Sequence, residues 1–579
     1  VSFYRGYQMV HPDFDIKSED GESDPINTGM ILPLYPSSEI LKRGGLDSRG
    51  IRKIVRSALD RAMPYIKDHF SKEFLLQVNI APFDVAIKNI HFPENRNSLK
   101  NSIYRMKFDE HFFLQLMLAL RKRRRTQELS PFVFENLGPI FNRLYEKLPF
   151  ELTGAQKRVI KEIRRDLRSS RPMNRLIQGD VGSGKTIVAF LIASIVFGNG
   201  CQVALMAPTE ILAEQHYYNA KDYFNGLDVN IKLLIGAQKP GEREEILSGI
   251  MDGYVHFVIG THAIIQDPVI FKDLGLVIID EQHRFGVMQR ATLREKSFNP
   301  HVLVMTATPI PRTLALTLYG DMDISLIDEM PEQRKQIKTR LVRERDRPEI
   351  YEFIREQIHK GRQVYVVYPL IEESEKLDFQ AATDGYERLK NSVFPQFRVG
   401  LLHGRMRSYE KDSIMSDFKA GNIDVLVCTT VIEVGIDVPN ATIMLIENSE
   451  RFGLTQLHQL RGRVGRGVKQ SYCIMMTGTR SRLARKRLKV IERTNNGFEI
   501  ADEDLKLRGP GEFFGTRQHG LPELKIADII SDWHILRKAR EWAFRVVGED
   551  PHLRKGLNSV LRDYFIRRYG ERYMLPDKG

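Results

Sequence analysis

Three groups of residues in this chain have the types and spacing to handle a nucleotide. The first is GDVGSGKT at 179–186, entered by the apolar run LIQ and left through Ile187, Val188, Ala189 and Phe190, a pattern of strand, loop and helix. Gly179, Gly182 and Gly184 let backbone N–H groups curl around an anion at a helix start, where the helix dipole adds positive potential. Asp180 and Ser183 complete that loop. Lys185 is placed to reach the outer phosphates of a nucleotide, and the Thr186 hydroxyl to ligate Mg2+. The second group is DEQH, which begins at Asp280 and ends the apolar run LGLVIID. Asp280 there can hold Mg2+ through water, and Glu281 can orient or deprotonate an attacking water. The third is QLHQLRGRVGRG at 456–467, where arginines alternate with glycines. Arg463 and Arg466 read as candidates to stabilise phosphate charge across a cleft, the alternative being a basic loop on nucleic-acid phosphate.

Positioning these groups requires parallel sheets. From about Leu152 strands alternate with helices, which places ligands at the carboxyl ends of the strands. The expected strands are 175–178, 202–207, 256–260, 276–280 and 301–306, ending in the phosphate loop, PTE, GTH, DEQH and TATP. A second alternating segment runs from about Glu332 to Met476, with strands expected in RQVYVVYPL, FRVGLLH, DVLVCTT, ATIMLIE and SYCIMM. Before residue 150 no catalytic motif occurs. VSFYRGYQMVHPDFDI reads as one or two strands, and the segments 45–63 and 108–125 have helical spacing of apolar residues. The basic run 121–125 suits either a phosphate contact or a solvated helix end.

At 579 residues the chain exceeds one ordinary core and suggests three or four domains. Its net charge of +13 points to a polyanionic partner, nucleic acid ahead of an anionic membrane surface. Cys201, Cys428 and Cys473 lie far apart in apolar runs. They cannot supply a four-thiolate zinc site and read as reduced core residues of an intracellular protein. No stretch has the length and apolarity of a membrane span, and no signal peptide opens the chain. It begins at Val1 without a methionine, as a fragment would.

Taken together the motifs resemble superfamily 2 helicases and, within them, the RecG family of bacterial fork-remodelling helicases. LPFELTGAQ at 148–156 is similar to the adenine-binding Q motif, which implies Phe150 and Gln156 as adenine contacts. MAPTEILAEQH, IGTHAIIQ, LLHGRM and TTVIEVGIDVPNA resemble motifs Ia, Ib, IV and V, implying Thr209, Thr261, His262, His403 and Thr430 on a DNA backbone. His283 of motif II, with Thr306 and Thr308 of motif III (MTATPIPRT), are implied in coupling nucleotide state to that track. The stretch 486–520 resembles the TRG translocation motif, whose apolar residues suit two helices joined at NNG. The resemblance implies Arg487, Arg508 and Gln518 as coupling residues.

The fold expected is therefore α/β, with two RecA-like parallel-sheet lobes, an N-terminal connector and a C-terminal helical hairpin. Expected boundaries are 1–20 for the remnant of an oligonucleotide-binding wedge and 21–150 for a mainly helical linker. The nucleotide-binding lobe follows at 151–330, the second lobe at 331–477, and the hairpin with its C-terminal helices at 478–579. Only YRGYQMVHPDFDI resembles the last strands of the wedge, so most of that domain is expected to be missing, leaving ATP hydrolysis but losing fork binding. The resemblance implies ATP and Mg2+ as cofactors and branched double-stranded DNA as partner. A single-strand-binding protein is a candidate second partner, and a monomer in the bacterial cytoplasm, at the nucleoid, is expected. Competing readings are a translocase of the transcription-repair coupling type and an ATP-gated DNA clamp without remodelling activity.

Overall fold

The structure of the chain, a computed structural model, describes residues 2–3, 7–8, 31–127, 129–236, 238–281, 296–307, 320, 322–331, 335–369, 375–429, 438–467, 469–508, 524–529 and 531–574. His283, Thr308, Thr430 and Gln518 lie outside the described residues, and only the backbone of Arg508 is described. The chain divides into two compact units, one of Val1–Leu120 with His519–Leu575, the other of Arg121–Gln518 with Pro576–Gly579.

The first unit is mainly helical. Its N-terminal stretch forms a short antiparallel pair, β1 (Ser2–Phe3) with β2 (Tyr7–Gln8). Its core packs Phe108, Phe112 and Phe113, from the helix Arg96–Gln127, against Phe70, Ala539, Ala543 and Phe565. Arg105 is fully buried there, with its guanidinium 2.8 Å from Asp68 and 2.7 Å from Asp109. Both carboxylates are needed because a buried cation without partners costs several kcal/mol.

The second unit carries two parallel sheets. In the first, β3 (Asn174–Gly179), β4 (Gln202–Met206), β5 (Ile231–Leu234), β6 (Phe257–Gly260), β7 (Leu274–Asp280), β8 (His301–Thr306) and β9 (Asp323–Ile327) stand in the order β5-β6-β4-β7-β8-β3-β9. In the second, β10 (Lys338–Arg343), β11 (Gln363–Val367), β12 (Val399–Leu402), β13 (Val425–Cys428), β14 (Ala441–Ile446) and β15 (Tyr472–Thr477) stand in the order β10-β15-β14-β11-β13-β12. Strands β4, β7 and β14 are buried at every position, which is why their sequences run apolar without alternation. The helix Lys185–Gly198 is likewise buried from Ile187 to Phe197 and is apolar on all sides.

Every strand expected from the sequence is present, and the α/β class with two RecA-like lobes holds. Three further strands, β5, β9 and β10, were not anticipated. All three lie at sheet edges, where one side is exposed and polar residues interrupt the run; β10 reads KTRLVR and buries only Val342 fully. The basic run after residue 120 is partly spent on an ion pair within this unit, Lys122 to Asp323 at 2.6 Å. The hairpin, Arg482–Arg493 and Gly497–Arg508, lies in the same unit as the two sheets. The C-terminal stretch expected as one region from 478 is thus divided, its last part belonging with the helical unit. Cys428 and Cys473 are buried in strands and all three cysteines are free.

Candidate active site

Parallel pairing puts the carboxyl ends of the strands on one edge of each sheet, so the polar clusters that end them converge. In the first sheet β7, β8 and β3 are consecutive neighbours, which sets Asp280 and Thr306 beside the loop leaving Gly179. A cleft of about 310 Å³ opens there. Of the residues expected to act on a nucleotide, Phe150, Gly182, Gly184, Lys185, Thr186, Asp280 and Glu281 line it. From the second sheet's side Arg463 and Arg466 line the same cleft.

The loop is held for anion binding. Gly182 and Gly184 have φ of 79° and 83°, a region that side chains with a Cβ rarely adopt. Gly184 precedes the helix Lys185–Gly198 and no side chain caps that helix. Its first N–H groups therefore face the cleft with the positive end of the dipole. Lys185 is buried and donates to the carbonyls of Gly179 at 2.8 Å and Asp180 at 2.9 Å. Burial lowers its ammonium pKa, against the opposing pull of the Glu281, Asp280 and Asp180 carboxylates.

Asp280 and Glu281 differ in environment. Burial raises the Asp280 pKa, but a hydrogen bond and charge from His216, the Lys185 ammonium and the Glu281 N–H outweigh it and hold the group ionised. His216 Nε2 lies 2.8 Å from Asp280 Oδ2. Glu281 has φ of 52°, the left-handed region, and its Oε1 accepts from the Ala307 N–H at 3.1 Å. Burial and then the neighbouring Asp280 charge push its carboxyl upward, against Lys185 and Arg463. One carboxylate is thus kept charged and the other kept ready to take a proton. The Thr186 hydroxyl and the Asp280 carboxylate are hard oxygen donors in one cleft. They fit Mg2+, which takes one or two protein oxygens and fills its shell with phosphate and water.

The second sheet reaches this cleft by close backbone approach. A Cβ on Gly462 would lie 2.8 Å from Val181 of the phosphate loop, so glycine allows the two lobes to touch there. Arg466 Nε donates to the Gly462 carbonyl at 3.3 Å.

Four expected nucleotide contacts do not line the cleft. Gln156 closes a capping box on the helix Gly154–Leu167 and sends its Nε2 to the Ser183 carbonyl at 2.9 Å, bracing the loop from behind. Gly179 ends β3, and the Ser183 hydroxyl is buried. Asp180 turns away: its carboxylate bonds His458 Nε2 and accepts from the Gly497 N–H at 3.1 Å. The expected DNA contacts follow the same strand edge. Thr209 caps the helix Glu210–Phe224, His262 is exposed after β6, and His403 is half-buried after β12. Thr261 is buried, which removes its side chain from a surface track, and Thr306, expected in coupling, is buried at the end of β8. Arg487 donates to the Phe452 carbonyl at 3.1 Å, tying the first hairpin helix to the second lobe.

Across nearly its whole length the chain is similar to the ATP-dependent DNA helicase RecG of Synechocystis sp., with 47% identity over 565 residues covering 97% of this chain and 67% of the relative. The chain belongs to the RecG family. It spans about two thirds of that relative. RecG of Escherichia coli K12 is 43% identical over 570 residues, covering 95% of this chain and 80% of that one. A solved structure of RecG bound to a three-way DNA junction superposes with a TM-score of 0.69 at 43% identity, over 87% of this chain and 66% of that one. Residues 153–317 match the DEAD/DEAH box helicase family, 348–468 the helicase conserved C-terminal domain, and 494–566 the C-terminal part of RecG domain 3.

Several residues of this RecG-family site were not singled out from sequence. Leu212, Gln215, His216, Asn219 and Tyr223 line the cleft from one helix. Their spacing of three and four residues was a legible signal, hidden because LAEQHYYN also reads as an ordinary amphipathic surface. Gln459 lines the cleft four residues before Arg463. His458 and Arg461 point elsewhere, to Asp180 and the hairpin.

Proposed function

We propose that this chain is a motor that hydrolyses ATP with Mg2+ in the cleft between its lobes and uses the cycle to translocate on double-stranded DNA, remodelling branched substrates such as forks and junctions. The observation that carries this reading is the composition of the cleft. Its phosphate loop, Asp280 and Glu281 come from one lobe and Arg463 and Arg466 from the other. A nucleotide seated there touches both, so its hydrolysis changes what holds the lobes together.

Lys185 and the helix N-terminus hold the outer phosphates, and Phe150 lies at the cleft wall where a base can stack. Thr186 and Asp280 would hold Mg2+, which supplies charge neutralisation at the phosphates when bound. Glu281, its pKa raised by burial, accepts a proton from water, and the arginines meet the charge that develops on the transferred phosphoryl group. Thr209, His262 and His403 are the surface-facing candidates for a sugar-phosphate track, a contact that carries little sequence information. Branched DNA as the substrate is supported by the junction-bound RecG structure and by the net charge of +13. Among the described residues no helix is long and apolar enough to cross a membrane.

Strand separation from a fluorescently labelled three-way junction tests the proposal. ATP and Mg2+ should drive release faster on the junction than on linear duplex of equal length. Equal rates on both, or release that proceeds without ATP, would overturn it.

A further inference from the structure

We propose that Asp180, inside the phosphate loop, is a positioning residue that transmits the state of the loop to the helical hairpin. Its carboxylate is buried, does not line the cleft, and has both oxygens engaged by other groups. Oδ1 accepts from the Val181 N–H at 2.6 Å and meets His458 Nε2, while Oδ2 accepts from the Gly497 N–H. Gly497 is the first residue of the second hairpin helix. A loop carboxylate therefore sits at that helix N-terminus, where unsatisfied N–H groups and the dipole favour negative charge.

A second arm reaches the first hairpin helix. His458 Nδ1 lies 2.8 Å from an Arg461 guanidinium nitrogen. The other terminal nitrogen of Arg461 donates to the carbonyls of Ile491 at 2.8 Å and Thr494 at 2.9 Å. Those carbonyls end the helix Arg482–Arg493, where a cation is favoured. Arg461 is 2% exposed, so this contact is not a surface ion pair that water could replace. The end of one hairpin helix and the start of the next are thus both fastened to a single loop carboxylate, one through His458 and Arg461 and the other through the Gly497 N–H, which couples the three elements. Burial raises the Asp180 pKa, but His458 and the Val181 N–H outweigh it, so the joint stays charged. When the loop rearranges around phosphate, the Asp180 carboxylate moves with it and the hairpin follows. The geometry stands by itself; its use in moving DNA rests on the motor reading above.

The test places spin labels at exposed Lys489 on the hairpin and exposed Lys272 on the first lobe and measures their separation in the whole chain. It compares the parent without nucleotide, with ADP, and with a non-hydrolysable ATP analogue and Mg2+. Three variants are used: Gly497→Pro, which removes the N–H, adds a ring that fixes φ and suits the first helical position; Gly497→Ala, which adds a side chain but keeps the N–H; and Asp180→Asn. The parent and Gly497→Ala should show a nucleotide-dependent change in separation, and Gly497→Pro and Asp180→Asn should lose it. No change in the parent, or the same change in Gly497→Pro and in Asp180→Asn, overturns the proposal. As a second readout, Gly497→Pro should keep DNA-stimulated ATP turnover but process roughly tenfold less junction per ATP, a coupling loss in the ordinary range. An unchanged ratio would overturn the proposal. A parent that moves no DNA would sink the motor reading while the label separations still decide this one.

Discussion

Replacing Gln156 by Glu is the substitution whose effect can be worked most directly from the structure. Glu keeps the size of Gln and keeps the Oε1 that accepts from the Thr153 N–H at 2.9 Å, so the cap on the helix Gly154–Leu167 survives. What it loses is the Nε2 donor to the Ser183 carbonyl. That carbonyl then faces a second acceptor in a buried place, at a cost of about 1–3 kcal/mol. The cost falls on the arrangement of the phosphate loop that binds nucleotide, and corresponds to roughly a 5- to 150-fold loss of affinity. Titration calorimetry with ATP measures it, and tripolyphosphate, which has no base, separates two causes. If Gln156 acts by bracing the loop, both ligands weaken by the same factor. If it acts by reading adenine, ATP weakens and tripolyphosphate does not, and the bracing argument is refuted.

Other substitutions probe the rest of the site and its frame. Arg463→Ala and Arg466→Ala should each leave ATP binding within a few-fold while lowering single-turnover hydrolysis, the residue that acts on the phosphoryl group by about a thousandfold or more; unchanged hydrolysis in both variants would remove the arginines from the chemistry. His216→Ala, by releasing Asp280 from its 2.8 Å partner, should raise the Mg2+ concentration needed for half-maximal ATP turnover and lower the rate by roughly 10- to 100-fold. An unaltered Mg2+ titration would show that His216 merely fills space. His301 is fixed as a neutral ring, with Nδ1 accepting from the Met173 N–H and Nε2 donating to the Phe132 carbonyl. Burial lowers its pKa to about 4, well below the ordinary histidine value. The unfolded chain therefore binds a proton first as pH falls, so stability is full above about 6.5 and declines until about 4. Between pH 7 and 5 the loss traced to His301 should be about 2 kcal/mol by urea denaturation, and His301→Gln should lack that part of the slope.

The sequence made the chemistry legible where a single residue type was required. Asp280 and Glu281 could be placed because a buried parallel strand announces its own end, and LGLVIID stops at the carboxylate, while Lys185 was placed by the glycine-rich loop that it closes. It was less informative about direction. Asp180 and Lys185 stand five residues apart in one loop, yet one carboxylate turns to the hairpin and one ammonium holds the loop, which only the packing of Gly497 and His458 against the loop decides. The same holds for QLHQLRGRVGRG, where Arg463 and Arg466 face the cleft and Arg461 is buried against the hairpin. Arginines look alike in sequence; here Arg461 ends the helix Leu454–Arg461, whereas Arg463 and Arg466 lie in the loop beyond it. Edge strands escaped notice for a simpler reason: Asp323–Ile327 and Lys338–Arg343 lack the two buried faces that write a continuous apolar run. Thr261 and Thr306 matched motif positions but are buried, a property that spacing does not record.

The central claim is that this cleft hydrolyses ATP to move DNA, and Lys185→Ala tests it most directly. ATP turnover is measured for the parent and the variant, each with and without branched duplex. The account predicts that DNA raises the parent's turnover and that the variant, lacking the ammonium that reaches the outer phosphates, shows neither basal nor stimulated hydrolysis above background. Turnover in Lys185→Ala equal to that of the parent, or parental turnover indifferent to DNA, would contradict it.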